Sequence, residues 1–363
     1  MKRKTTLVRK PVPRAGIVRA VDANESAFRE VLALIERARQ RAYHSVNTEL
    51  IGLYWRVGES ICRRIASDGW GKSTIASLAA YIRRHDPNVR GFSVQNLWRM
   101  RQFYETYCDQ PKLSTLSREL SWSHNMLTIN RCKRREEREF YLRMAAREGW
   151  SFRELERQIN ACLFERAVLS PPKVAAALQQ THPGAADIFK DAYVVEFLQL
   201  PDGHLEVDLH RGLLAKLKQF LIELGRDFCF VGSEYPIQVG GQDFSLDLLF
   251  FNRALGCLVV FDLKVGRFEP EHLGKLEFYL EALDRDVRKP HERPSIGVLL
   301  CASRDNEVVE YALSRSVSPA LIAEYKIALP DKQLLQRKLH EFYQLALPAA
   351  EPPLAKRRRG RTP

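Results

Sequence analysis

Residues 244–266 read FSLDLLFFNRALGCLVVFDLKVG. Two apolar runs, Phe244–Phe251 and Cys257–Val265, flank a short NRALG segment, the pattern of a β-hairpin. Three charges interrupt the runs: Asp247 in the first, Asp262 and Lys264 in the second. Side chains alternate faces along a strand, so Asp262 and Lys264 point the same way. A turn centred near Ala254 sets Asp247 across the hairpin from Phe261 or Asp262. Two carboxylates and an ammonium then share one face of a sheet otherwise made of Leu, Val and Phe. Such a cluster is costly unless its charges pair, hold a metal, or both.

Around the hairpin the texture is that of an α/β domain. Upstream, DLHRGLLAKLKQFLIELG (208–225) is an amphipathic helix with Leu209, Leu213, Leu214, Leu217, Phe220 and Leu221 on one face, ended by Gly225. Phe228–Val231 and Tyr235–Val239 form a strand-like segment interrupted near Gly232, and Gly240-Gly241-Gln242-Asp243 marks a hairpin turn. Downstream come a helix from Pro270 to Asp284, a buried strand Ser295–Leu300, a helical Val308–Leu313 and a last strand Leu321–Tyr325. The order α, β, β, β, α, β predicts a mixed sheet with helices against it.

The half of the chain before this domain reads as helical. Residues 25–66 carry two helical segments, broken off by Gly69-Trp70-Gly71, and a third helix runs from Ser73 to Arg84. After the turn at His85–Gly91, Ser93 caps a fourth helix, VQNLWRMRQFYETY. Helix, turn and helix over 73–107 suggest a nucleic-acid-binding module, with Gln95, Asn96, Arg99, Arg101 and Gln102 as the candidate contacts. A helical packing domain with a solvated basic face is the competing reading, because the turn is longer than that motif uses. Further helices are expected at Leu113–Leu120, His124–Asn130, Arg135–Glu148 and Trp150–Arg166, the last capped by Ser151. Pro171-Pro172 opens a weakly patterned stretch. The expected organisation is a disordered basic arm (1–24), a helical domain (25–168), a linker (169–204), the α/β domain (205–347) and a disordered basic tail (348–363). The fold class is thus α+β with two domains.

Composition narrows the class without choosing the function. With 363 residues, 45% hydrophobic and 28% charged, the chain is an ordinary globular protein. Its formal charge is +13, but residues 1–20 and 351–363 supply eleven of those charges. The basic character therefore belongs to the two ends, which can add salt-sensitive affinity for a polyanion or simply be solvated. Seven scattered cysteines without a CxxC pair argue against a disulfide framework and a structural zinc site. No apolar run approaches the roughly 20 residues that span a membrane. The basic N-terminus lacks an apolar stretch behind it, so it does not read as a secretory signal. No membrane association is expected, and the expected location is cytoplasmic, on the nucleoid if the source is bacterial.

The acid on the second strand and Asp262-Leu263-Lys264 on the third, within an αβββαβ core, resemble the PD-(D/E)XK restriction-endonuclease-like superfamily. A bare pattern of this kind arises often by chance. The surrounding text is more specific: FLIELGRDFCFVG, DFSLDLLFFN, CLVVFDLKVGRFEPEHLGKLEFYL and IGVLLCASRDNEVVEYAL resemble the YhcG-type nucleases. LIGLYWRVGESI, GWGKSTI, RGFSVQNLWRMRQFYETY, LSWSHN and EREFYLRMAAREGWSFRELERQI are similar to that family's N-terminal domain, so the likeness runs from Val46 to Leu329.

The resemblance implies a nuclease that hydrolyses phosphodiester bonds, with DNA favoured over RNA as its partner, in repair, recombination or defence. It implies Mg²⁺, with Mn²⁺ as a substitute, held by Asp247, Asp262 and the Leu263 carbonyl. Lys264 would orient the attacking water and offset phosphate charge. Where the family pattern on the first helix reads Asp-Leu-Glu, this chain has Asp208-Leu209-His210, and Glu206 is the acid that can substitute in part. Lys275 and Tyr279 lie where such folds present phosphate contacts, and Glu234 is near the site in sequence. A homodimer would be needed to cut both strands at once. Two other readings stand beside this one: a nucleic-acid-binding protein with a degenerate nuclease fold, and a toxin-like effector restrained by a partner.

Overall fold

A computed structural model describes residues 15–346, with side-chain surroundings for 28–344. Residues 1–14 and 347–363, which hold much of the expected basic arm and all of the expected tail, lie outside the described residues. The chain forms two compact units, Met1–Asn130 and Arg131–Pro363.

The first unit contains α1 (Ala15–Asp68), α2 (Lys72–His85), α3 (Val94–Tyr107), α4 (Pro111–Ser117) and α5 (Trp122–Arg131). Two helical segments were expected over 25–66, yet α1 is one helix of 54 residues that begins inside the expected arm. Neither Gly nor Pro stands between Ser26 and Ile51 to break it. Lower down, Gly58 lets α3 approach, because a Cβ there would collide with the Met100 carbonyl. Aromatic side chains fill the contact, with Trp122 edge-on to Tyr54 at 4.8 Å and to Phe103 at 5.4 Å. Ser93 caps α3 by accepting the Asn96 amide hydrogen at 3.3 Å. Residues 86–93 connect α2 to α3, a longer turn than the compact helix-turn-helix motif uses.

The second unit contains α6 (Arg135–Glu148), α7 (Phe152–Asn160), α8 (Leu163–Leu169), α9 (Ala176–Thr181), β1 (Ala192–Val194), α10 (Glu206–Ala215), α11 (Leu217–Leu224), β2 (Phe228–Val239) and β3 (Gln242–Asn252). It continues with β4 (Cys257–Arg267), α12 (Glu271–Asp286), β5 (Arg293–Ser303), α13 (Asn306–Ser314), β6 (Ala320–Lys326) and α14 (Lys332–Ala346). The sheet order is β1-β6-β5-β4-β3-β2. From β1 to β4 the neighbours are parallel, and β4–β3–β2 is an antiparallel meander. This is the mixed sheet the α, β, β, β, α, β order predicts. β4 and β5 are buried along most of their length and read as near-continuous apolar runs for that reason.

Three expectations change. Trp150–Arg166 is not one helix: the backbone turns left-handed at Cys162 (φ 53°) and separates α7 from α8. The 208–225 helix is interrupted at Lys216, where φ of −113° and ψ of 29° leave helical geometry. The stretch expected as linker, 169–204, is packed structure, with Tyr193, Val194 and Val195 fully buried and β1 completing the sheet. The unit boundary at Asn130 has a visible cause. Arg157 of α7 donates to Glu196 at 2.8 Å, to Glu223 of α11 at 2.9 Å and to the Val194 carbonyl at 2.7 Å. Those bonds fasten α6–α8 to the sheet. Among the described residues no helix is long and apolar enough to cross a membrane.

Candidate active site

β3 and β4 pair from Asn252 with Cys257 down to Leu248 with Phe261, and there the ladder stops. Below that point β3 stays with β2, through Leu246 and Tyr235, while β4 stays with β5, through Asp262 with Leu299 and Lys264 with Cys301. Continuing the register sets Asp247 level with Asp262, where the two strands part. Parting strands leave backbone groups without ladder partners, and such groups need others. Asp247 supplies one: its Oδ2 accepts the Leu263 amide hydrogen at 2.7 Å. His210 of α10 supplies another, with Nε2 at 3.2 Å from the Asp247 carbonyl oxygen. A carbonyl can only accept, so Nε2 carries the hydrogen in this contact.

Asp262 is 1% exposed. Its Oδ2 lies 2.9 Å from Lys264 Nζ and its Oδ1 lies 3.3 Å from Lys275 Nζ. The Lys264 contact is ionic but poorly aligned, so Asp262 Oδ2 is a buried oxygen without a hydrogen bond. Lys264 Nζ instead donates to the Leu263 carbonyl at 2.6 Å and stands 3.7 Å from Glu206 Oε1. Asp247, Asp262, Leu263, Lys264, Glu206 and Lys275 therefore converge. Burial pushes the Asp247 carboxyl above its ordinary value against the Leu263 hydrogen bond; the charge of Asp262 adds to the rise, and Lys264 and Lys275 oppose it. Burial alone would lower the Lys275 ammonium, but Asp262 and then Tyr279 outweigh it and raise it. The Lys275 ammonium lies over the Tyr279 ring, 5.2 Å from its centroid, and that ring is in the core at 4% exposure.

Among the described residues no three His, Cys, Asp or Glu side chains are grouped to hold a metal ion. The available donors are two carboxylates and one carbonyl, all oxygen, a set suited to a hard divalent cation. The buried Asp262 carboxylate, whose Oδ2 makes an ion contact with Lys264 but no hydrogen bond, fits that use.

Sequence reasoning missed two features here. Asp208 is a helix cap, accepting the Leu205 amide hydrogen at 3.0 Å, a use signalled by an acid at the third helical position. Glu234 is exposed and has φ of 46°, between the pairs Ser233–Leu248 and Tyr235–Leu246, hence level with Asp247. Only the register reveals that relation.

On α3 the candidate contacts divide. Gln95, Arg99 and Gln102 are exposed and share a face at helical spacing. Asn96 is occupied structurally, since its Oδ1 accepts from Trp122 Nε1 at 2.9 Å. Arg101 is paired with Glu105 at 2.7 Å and covers Trp98.

Comparison with known proteins gives two family matches along the chain: the YhcG PDDEXK nuclease domain over residues 186–340 and the DUF1016 N-terminal domain over 30–166. "Putative nuclease YhcG" of Escherichia coli (strain K12) is 33% identical over 347 residues, covering 85% of this chain and 92% of that protein. A repair endonuclease from Pyrococcus abyssi aligns at 15% identity and a TM-score of 0.24, over 36% of this chain and 50% of that one. EndoMS in its apo form aligns at 16% identity and a TM-score of 0.23, over 36% and 49%. These scores are too low for the two structures to bear on activity.

Proposed function

Because this chain belongs to the YhcG family of PDDEXK nucleases, we propose that it hydrolyses phosphodiester bonds in DNA at the Asp247–Asp262–Lys264 cluster. The observation that supports this most is Asp262, a carboxylate 1% exposed within the sheet, with Oδ2 2.9 Å from Lys264 Nζ and Oδ1 3.3 Å from Lys275 Nζ. Two ammonium groups on one buried acid, with Asp247 level with it, put both signs of charge where a cation and a phosphate would bind.

Asp247, Asp262 and the Leu263 carbonyl would hold Mg²⁺, or Mn²⁺ in its place, with Glu206 as a further acid at the rim. When bound, the cation neutralises charge on the scissile phosphate and lowers the pKa of the attacking water. Lys264 orients that water and offsets phosphate charge, and Lys275 adds a second ammonium beside it. The exposed Gln95, Arg99 and Gln102 face can take phosphate contacts, which position a nucleic acid without reading its sequence. One site cuts one strand, so a double-strand break calls for two copies.

The test is incubation of the full-length chain with plasmid, single-stranded DNA and RNA, with Mg²⁺ or with EDTA. Cleavage of DNA that needs Mg²⁺ and disappears in Asp262→Ala is expected. Cleavage that survives EDTA or that substitution removes the proposed site, and cleavage of RNA alone reassigns the substrate. A second reading, binding without cutting, is favoured by His210 standing where the family pattern has an acid. It would show as DNA binding without cleavage under either ion.

A further inference from the structure

From residue 28 to residue 46 no side chain of α1 is buried. The helix first meets its own unit at Asn47, which donates to the Leu120 carbonyl at 3.0 Å, and the buried Ile51 and Tyr54 follow. Upstream of that point the helix should be polar, and it is not. Phe28 is 70% exposed, Leu32 56%, Ile35 44% and Val46 68%, and the line continues through the exposed Leu50 and Leu53. At 100° per residue these six lie on one face, flanked by the exposed Val31 and Tyr43. The stripe is about 39 Å long at 1.5 Å per residue. A lone helix is marginal in water, and an apolar stripe of this length marks an interaction site.

We propose that this stripe is a self-association surface on which the same helix of a second copy docks antiparallel. The spacing of the stripe selects that occupant. Arg39 lies in line with the stripe between Ile35 and Val46, so a parallel pair would set Arg39 against Arg39. A two-fold axis between residues 40 and 41 instead faces Phe28 with Leu53, Val31 with Leu50 and Ile35 with Val46, so the stripe is complementary to itself when reversed. It also sets each Arg39 beside the small Ala42, where its stem can lie along the seam and its head can reach water. The result is an isologous interface, the common form for a homodimer. The eight apolar side chains expose on the order of 800 Å² per copy, about what each partner gives to a stable interface of standard size. The inference does not rest on nuclease activity, and its test does not read it.

The full-length chain is weighed by sedimentation equilibrium across micromolar concentrations, where twice the 41.9 kDa chain mass is expected. Ile35→Asp and Val46→Asp each raise the dimer Kd about 100-fold by burying an unpaired charge. Thermal unfolding and circular dichroism confirm that these surface variants remain folded. Oxidation crosslinks the Ile35→Cys/Val46→Cys double variant into a dimer beyond what the parent chain gives and leaves either single variant uncrosslinked, because residue 35 faces residue 46 of the second copy and not itself. A single variant that crosslinks, or a double variant that does not, overturns the antiparallel register. A monomer throughout, or a dimer indifferent to both Asp substitutions, overturns self-association at this stripe. A monomer that gains mass only with DNA or another polypeptide assigns the stripe to that partner.

Discussion

Asp247 Oδ2 accepts the amide hydrogen of Leu263 at 2.7 Å, at the place where β3 leaves β4. One carboxylate thus closes the end of a strand ladder while its other oxygen stays available, and two variants separate these uses. Asp247→Asn keeps an acceptor for Leu263 but gives up the charge. Cleavage is expected to fall by at least about 100-fold with an unfolding midpoint close to that of the parent. Asp247→Ala also orphans the Leu263 amide and should cost about 1–3 kcal/mol of stability. Plasmid nicking and thermal unfolding read the two effects. Equal stability losses in both variants would show that the charge, rather than the acceptor, holds the junction.

The ion cluster around Glu223 makes a prediction about acid stability. This side chain is fully buried, 2.9 Å from Arg157, 3.1 Å from Lys190 and 3.0 Å from Gln158. Burial pushes its carboxyl up, but Lys190, Arg157 and Arg166 reverse that and hold it at about 2. The folded value lies below the ordinary 4.5, so the contribution is complete above about pH 4.5 and is lost as the pH falls towards 2. Burial draws the Lys190 ammonium below its ordinary value, so part of the gain is offset by its own desolvation. Glu223→Gln leaves the buried cations uncompensated and should cost about 3–5 kcal/mol at neutral pH. It should also flatten the acid limb of a urea-unfolding series between pH 5 and pH 2. An unchanged acid limb would mean that other carboxylates carry it.

Much of this molecule is legible in its sequence. Apolar runs, a turn and three misplaced charges locate the hairpin and its Asp262–Lys264 pair, because strand alternation is a local rule. The unit boundary is not local. It depends on Arg157 meeting groups 37, 39 and 66 residues away, which no composition shift near Asn130 announces. The stretch 169–204 reads as linker because β1 is only three residues long and gains its stability from pairing with β6. Single-residue breaks at Cys162 and Lys216 are equally invisible to periodicity, since the apolar face continues through both. The role of His210 required knowing where the ladder ends.

His210 holds the backbone of Asp247 in place. Its Nε2 serves the Asp247 carbonyl, which has lost its ladder partner. His210→Ala should cost about 1–2 kcal/mol and lower cleavage through a looser Asp247. His210→Glu introduces a carboxylate but cannot donate, so it should be as destabilised as the alanine variant. His210→Gln keeps a donor of similar reach and should recover stability and activity together. Recovery by glutamate in place of glutamine would assign the position to cation binding.

Glu234 sits level with Asp247 on the neighbouring strand, with φ of 46°. A left-handed backbone at a residue with a Cβ costs about 1–2 kcal/mol, and such strain concentrates where a side chain is put to use. Two substitutions separate strain from use. Glu234→Gly relieves the backbone and should raise stability by about 1 kcal/mol, less the entropy that glycine adds to the unfolded chain. Glu234→Ala keeps the strain and should leave stability nearly unchanged. Both remove the carboxylate beside Asp247. If that carboxylate serves the site, both variants lose activity by about tenfold at limiting Mg²⁺ while only the glycine variant melts higher. Full activity in both would leave the strain as a local device for turning β2 at the Gly232 bulge, where the register shifts between Phe230 and Gly232.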